Sequence, residues 1–172
     1  MNKYDKNISK TSLQKNIKKI SNQINKDFLG KEIVMIVILT GAIFFATDLA
    51  KRIKIPIKID FFLIKSHKHN FKSKDHNILL APTIDIKGKD VLIVEDIVES
   101  GDTFKIVYDF IIKKKPNTIS LATIFSLKKT ECHNHYNLIS KKPKGYLVGY
   151  GFDDKEYNRN LEYIGIIKDA YK

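Results

Sequence analysis

A single cysteine, Cys132, stands in 172 residues. An internal disulfide is therefore excluded, and a reducing cytoplasm is the expected home. Prolines number four, and hydrophobic residues make up 43% of the chain, which excludes a disordered composition. No apolar run reaches the roughly 18–20 residues of a membrane span; the longest, Ile33 to Leu39, is strand length. The opening MNKYDKNISK lacks the apolar core of a signal segment. Arginine is nearly missing, with only Arg52 and Arg159. The net charge of +12 is thus almost all lysine, spread along the chain without the aromatic interleaving of single-strand nucleic-acid binders. Direct nucleic-acid binding is discounted, although a diffuse positive field still attracts anionic substrates.

The length fits one domain over residues 1–172. Leu13, Ile17, Ile20, Ile24 and Phe28 recur at helical spacing, with Ser9 or Thr11 able to cap the start and Gly30 the end. Ile33 to Leu39 is apolar throughout and rich in β-branched residues, the pattern of a strand covered on both faces. A short helical pattern follows through Phe44, Phe45, Leu49 and Ile53. Ile57 to Ile64, Val91 to Val94, Thr118 to Phe125 and Tyr146 to Tyr150 read as further strands. A helix through Phe104, Val107, Tyr108 and Ile111 ends before Pro116. This alternation predicts an α/β fold with a central, mostly parallel sheet flanked by helices. Ligands of such sheets bind beyond the carboxyl ends of the strands, here the loops after Leu39, Val94 and Phe125. The polar, histidine-bearing stretch 65–82 has little period and is expected to be a mobile lid loop.

The chemistry concentrates in Val91-Leu92-Ile93-Val94-Glu95-Asp96-Ile97-Val98-Glu99-Ser100-Gly101-Asp102-Thr103. An apolar strand runs into two adjacent carboxylates, then a third, then a small-residue turn and a helix. The turn offers free backbone N–H groups and the positive end of a helix dipole. Ser100 and Thr103 add hydroxyls, and Gly101 admits a close ligand, so the turn suits a phosphate group. Glu95 and Asp96 can bind ribose hydroxyls or a divalent metal, for which magnesium is the fitting hard cation. Ordinary capping and turn chemistry explain Ser100 to Thr103 alone. They do not explain three acids crowded at the end of an apolar strand, where desolvation and repulsion are costly without a partner.

This segment resembles the phosphoribosyl pyrophosphate signature of type I phosphoribosyltransferases, closest to the hypoxanthine-guanine branch. The resemblance extends more weakly from about Ile33 to Ile167. It implies that family's fold, with a small hood region beside the main sheet. It also implies Mg2+ as cofactor, phosphoribosyl pyrophosphate and a 6-oxopurine as substrates, and a homodimer or homotetramer.

Carried over by position, Glu95 and Asp96 would contact the ribose hydroxyls, and Ser100, Gly101, Asp102 and Thr103 would hold the 5′-phosphate. Glu99 fills the place of the acid that handles the purine N7 proton, where the family usually has aspartate. Leu39-Thr40-Gly41 matches the pyrophosphate loop, which often carries a cis peptide, although Thr40 replaces a long cation. Without the resemblance these residues are a strand-to-helix turn capped by Thr40. Arg159 matches an arginine near the pyrophosphate. Lys128 matches the lysine that donates to the purine O6; lysine donates and cannot accept, which favours 6-oxopurines over adenine. Tyr146 falls where an aromatic stacks on the base, and the Leu147 backbone would contact the purine. Asp153 matches an aspartate that, with Glu95 and Asp96, helps hold the metal. Ser66-His67 stands where the family lid has Ser-Tyr.

Two histidine groups, His67-Lys68-His69 and Cys132-His133-Asn134-His135, lack the ligand count and spacing of a zinc motif and read as polar loop. The substitutions at Thr40, His67 and Glu99, with the basic charge, keep one alternative open: a weakened or non-catalytic relative that binds nucleotide and nucleic acid.

Overall fold

The structure, a computed structural model, describes residues 4–69 and 73–167. Its main sheet has six strands in the order β4-β3-β2-β5-β6-β7. These are β2 (Ile33–Leu39), β3 (Ile57–His69), β4 (Ser73–Leu80), β5 (Asp90–Val98), β6 (Thr118–Ser126) and β7 (His135–Asn137). All neighbours pair in parallel except β3 and β4, so the mostly parallel sheet expected from the alternation is present. A second antiparallel sheet, ordered β1-β9-β8, joins Tyr4–Ile8 (β1), Ile164–Ile167 (β9) and Leu147–Val148 (β8), which forms the hood.

Strand alternation sets the layers. Ile33, Met35, Val37, Leu92 and Val94 point to one face, where α1 (Lys10–Asp27) and α2 (Ile43–Ala50) cover them through Leu13, Ile17, Ile24, Phe45 and Leu49. Val34, Ile36, Ile38, Val91 and Ile93 point to the other, under α3 (Asp102–Ile112) with Phe104, Val107 and Ile111. The hood joins the first layer through Leu147 and Ile164. Ser9, of the two candidate caps, accepts from the Ser12 N–H at 3.2 Å. Helix α2 is not capped by Thr40: its N-cap is Ala42, with no side-chain bond.

The expected loop at 65–82 takes a different form. β3 runs on to His69 and pairs antiparallel with β4 from Leu63↔Leu80 to His69↔Ser73. Backbone pairing needs no apolar side chains, so no two-residue apolar period marks it in the sequence. Lys65 and Asn77 to Leu80 are exposed. The side chains of Ser66, His67 and His69 lie outside the described residues. No described helix is long and apolar enough to cross a membrane.

Burial predicts how substitutions divide. Ile36→Ala, at a fully buried position, should cost about 2–5 kcal/mol in denaturant unfolding. Leu29→Ala, 79% exposed, should stay within about 0.5 kcal/mol.

Candidate active site

The parallel strands β2 and β5 end side by side, and two tight approaches build the site between their carboxyl ends. At Gly41, a Cβ would lie 2.0 Å from Asp96 Oδ2, so only glycine lets the turn after β2 rest on that carboxylate. At Gly151 (φ +104°), a Cβ would lie 1.9 Å from the Gly41 carbonyl oxygen. The turn Leu39-Thr40-Gly41 is thus pinned between the tip of β5 and the loop 149–159, and its Leu39–Thr40 peptide is cis, as the resemblance led us to expect.

Glu95 and Asp96 are neighbours on β5, so their side chains leave the strand toward different surroundings. Asp96 faces Gly41 and lies within electrostatic reach of Arg159 and Asp153. Burial drives its carboxyl up to about 6, a rise partly offset by hydrogen bonds from the backbone N–H groups of Ile97 and Asp96 itself and by the Arg159 charge. Glu95 faces the turn before α3 and is 5% exposed. Its Oε2 has no hydrogen-bond partner among the described residues. Burial, then the Asp96 charge, pushes its carboxyl well above the usual carboxylate range. A buried carboxylate oxygen with open valence, Glu95 Oε2, fits a hard divalent cation or a ribose hydroxyl. Asp153 fits less directly. Its Oδ1 is 2.9 Å from Arg159 Nη2, and its Oδ2 accepts from the Glu156 N–H at 2.8 Å. Among the described residues no group of three or more His, Cys, Asp or Glu side chains stands in metal-holding geometry, and this covers Cys132, His133 and His135.

The segment from Ser100 to Thr103 forms a turn that leads into α3. Gly101 takes a left-handed conformation (φ +86°) and starts α3, and a cavity of about 130 Å³ is lined by Glu95, Glu99 and every residue from Ser100 to Phe104. Asp102 does not stand alone there: Ser100 Oγ donates to its Oδ2 at 2.9 Å.

A second cavity, of about 180 Å³, brings together four of the expected residues, Glu99, Tyr146, Leu147 and Asp153, with Ile97 and Phe152. It also contains Lys142, whose ammonium lies 2.9 Å from Glu99 Oε1. Nothing in the sequence marked Lys142: it sits in the run Lys141-Lys142-Pro143-Lys144 of a lysine-rich chain. Lys128 is not in this cavity. It lines a neighbouring one with Ser100, Gly101, Phe104 and Tyr108, its Cδ 3.8 Å from where a Gly101 Cβ would sit. Arg159 is held within its own loop, donating to the Gly151 carbonyl at 2.7 Å besides its pairing with Asp153.

A strand tipped with buried acids, a glycine-started helix and a facing cis turn form the outline of a phosphoribosyl-binding site. The chain matches the phosphoribosyl transferase domain family over residues 6–152. Within that class it is 35% identical over 166 residues to a hypoxanthine-guanine phosphoribosyltransferase of Streptococcus pneumoniae, covering 94% of this chain and 92% of that one. The Streptococcus pyogenes enzyme of the same name is 33% identical over 169 residues, covering 94% and 91%. A crystal structure of a hypoxanthine phosphoribosyltransferase from Staphylococcus aureus superposes with a TM-score of 0.85 at 32% identity, covering 96% of this chain and 91% of that one. The chain belongs to the hypoxanthine-guanine phosphoribosyltransferase family.

Asp96 gives the ligand-free protein a defined pH response. Folding raises its carboxyl from 3.8 to about 6. The folded protein therefore keeps a proton that the unfolded chain gives up, and stability falls as pH rises through that window. Thermal melting between pH 4 and 7 should show this decline, and Asp96→Asn should lessen it, leaving the part that the raised Glu95 carboxyl contributes.

Proposed function

We propose that the protein transfers the phosphoribosyl group of phosphoribosyl pyrophosphate to hypoxanthine and guanine, forming IMP and GMP with release of pyrophosphate in purine salvage. The observation that carries this reading is the pair of carboxylates at the tip of β5, one with a buried oxygen that has no partner among the described residues, beside the Gly101 turn. The turn Ser100 to Thr103 would hold the 5′-phosphate through backbone N–H groups and hydroxyls, with the helix dipole adding attraction. Glu95 and Asp96 would bind the ribose hydroxyls. Thr40 and Gly41 would meet the pyrophosphate through backbone N–H groups, with Leu39 as the strand end that aims them and Arg159 nearby. The base would lie on Tyr146 against the Leu147 backbone.

In the reaction the purine N9 forms a bond to the sugar C1 as the C1–pyrophosphate bond breaks through an oxocarbenium-like state. The purine N7 proton passes to Glu99. The chain contributes chiefly orientation and electrostatics. Magnesium, when bound, would neutralise charge on the leaving pyrophosphate, held by Glu95 and Asp96, with Asp153 after rearrangement of its pairing to Arg159. Lys128 would reach the purine O6 by swinging across Gly101 from its present cavity. The hairpin spanning 65–82 would close as a lid and exclude water that competes for the activated sugar.

We further place the protein in the cytoplasm as a single domain that assembles as a homodimer or homotetramer. Exposed apolar side chains on β3 and β4, Ile59, Phe61, Ile78, Leu79 and Leu80, support self-association. The regulatory alternative has less support, because the relatives at 33–35% identity carry enzyme names.

Pyrophosphate release should be measured with hypoxanthine, guanine, xanthine and adenine, with and without magnesium. Turnover is expected with hypoxanthine and guanine only when magnesium is present, and adenine should be poor. Glu99→Gln should lower kcat by about 10²–10⁴-fold, and Lys128→Ala should raise KM for the oxopurines. Tight nucleic-acid binding at physiological salt without turnover would favour the regulatory reading instead.

A further inference from the structure

Lys142 lies on the connection between β7 and β8, and its ammonium reaches 43 positions back along the chain to Glu99 at 2.9 Å. The two side chains are unequally held: that of Lys142 is 21% exposed, that of Glu99 61%. The lysine is therefore the fixed half of the pair. Pro143 follows it and restricts the Lys142 backbone to extended conformations. Of the residues lining the cavity with Tyr146 and Leu147, Lys142 is the one cation, since Lys128 lines the neighbouring cavity.

We propose that Lys142 is a positioning residue that fixes the Glu99 carboxylate at the mouth of the base pocket. The proposal rests on the base-binding reading of that cavity and on Glu99 as the proton acceptor. Glutamate carries one more methylene and one more torsion than the aspartate usual at this place. An exposed glutamate samples several rotamers, most of which take the carboxylate away from the purine. A charge-assisted hydrogen bond from a held ammonium selects one of them. Half-exposed ion pairs contribute little to stability, so the consequence of this contact falls on the rate rather than on folding. A displacement of about 1 Å at a reacting group costs on the order of a hundredfold in rate, which makes such a restraint worth building. The loose fit of a longer acid and the presence of a nearby cation thus form one device.

Initial rates of the full-length protein with magnesium, saturating phosphoribosyl pyrophosphate and varied hypoxanthine test this, comparing Lys142→Met, Lys142→Arg, Glu99→Gln and the Glu99→Gln/Lys142→Met double variant. Lys142→Met should lower kcat by about tenfold or more while KM for hypoxanthine stays within about twofold. Lys142→Arg should recover most of the rate, and Lys142→Met should cost nothing further once Glu99 is Gln. Unchanged melting temperatures would confirm that all four fold. Full rate in Lys142→Met beside a slow Glu99→Gln would overturn the pairing alone. A raised KM with intact kcat would also overturn it, by making Lys142 a contact of the base. Full rate in Glu99→Gln would overturn the base assignment on which the pairing depends.

Discussion

A carboxylate oxygen buried at the end of a parallel strand, with nothing in the described chain to bond it, is the constraint around which this molecule is arranged. Glu95 and Asp96 sit at the tip of β5, inside the sheet's own register: Glu95 is opposite Thr123 of β6. Burial raises the proton affinity of both acids. Such a pair is costly by itself, and external partners, whether ribose hydroxyls or a hard cation, remove the cost. A purely structural role would instead have supplied a protein partner, as Asp90 at the other end of the same strand illustrates. Asp90 accepts from Thr118 Oγ1 and Asn117 Nδ2 and pairs with Lys31, and its carboxyl is lowered despite burial. The same strand thus carries a satisfied acid at its start and, toward its end, Glu95 with an oxygen that has no partner among the described residues.

The surroundings follow from that tip. The turn after β2 can rest on Asp96 only because residue 41 is glycine, and loop 149–159 can rest on the turn only because residue 151 is glycine. Tyr150, next to Gly151, anchors the loop by donating to Asp48 of α2 at 2.8 Å. Arg159 stitches the loop from within. The backbone around the acids is therefore held by close packing and by hydrogen bonds within the loop, such as those from the Gly151 N–H to the Arg159 carbonyl and from the Tyr150 N–H to the Leu161 carbonyl.

Much of this was legible in the sequence, for identifiable reasons. β2 and the first half of β5 announce themselves as unbroken apolar runs, and β6 as a β-branched run with small polar residues inside it. The acid-tipped segment 95–103 is local, so one stretch of chain carries most of the residues that the proposal assigns to the phosphoribosyl group. What escaped is what depends on distant partners. β1 and β9 pair across the chain from its two ends, Tyr4 with Ile167, and neither has a distinctive pattern. The hairpin at 65–80 is held by backbone hydrogen bonds, which side-chain periodicity cannot report. Lys142 was invisible because one lysine among many is distinguished only by what it touches. Lys128 was placed by its match to a family lysine after β6, yet its side chain lines the adjoining cavity.

The claim that the tip of β5 is left unsatisfied for a ligand yields to one comparison: thermal melting of the wild type and Glu95→Gln at pH 8, each with and without magnesium and phosphoribosyl pyrophosphate. The account predicts that the ligand-free Gln variant melts higher, because at pH 8 a partnerless buried carboxyl is costly whether it is charged or holds its proton, and that its ligand-induced rise is much smaller than that of the wild type. A Gln variant that melts lower and keeps the full ligand-induced rise would contradict it.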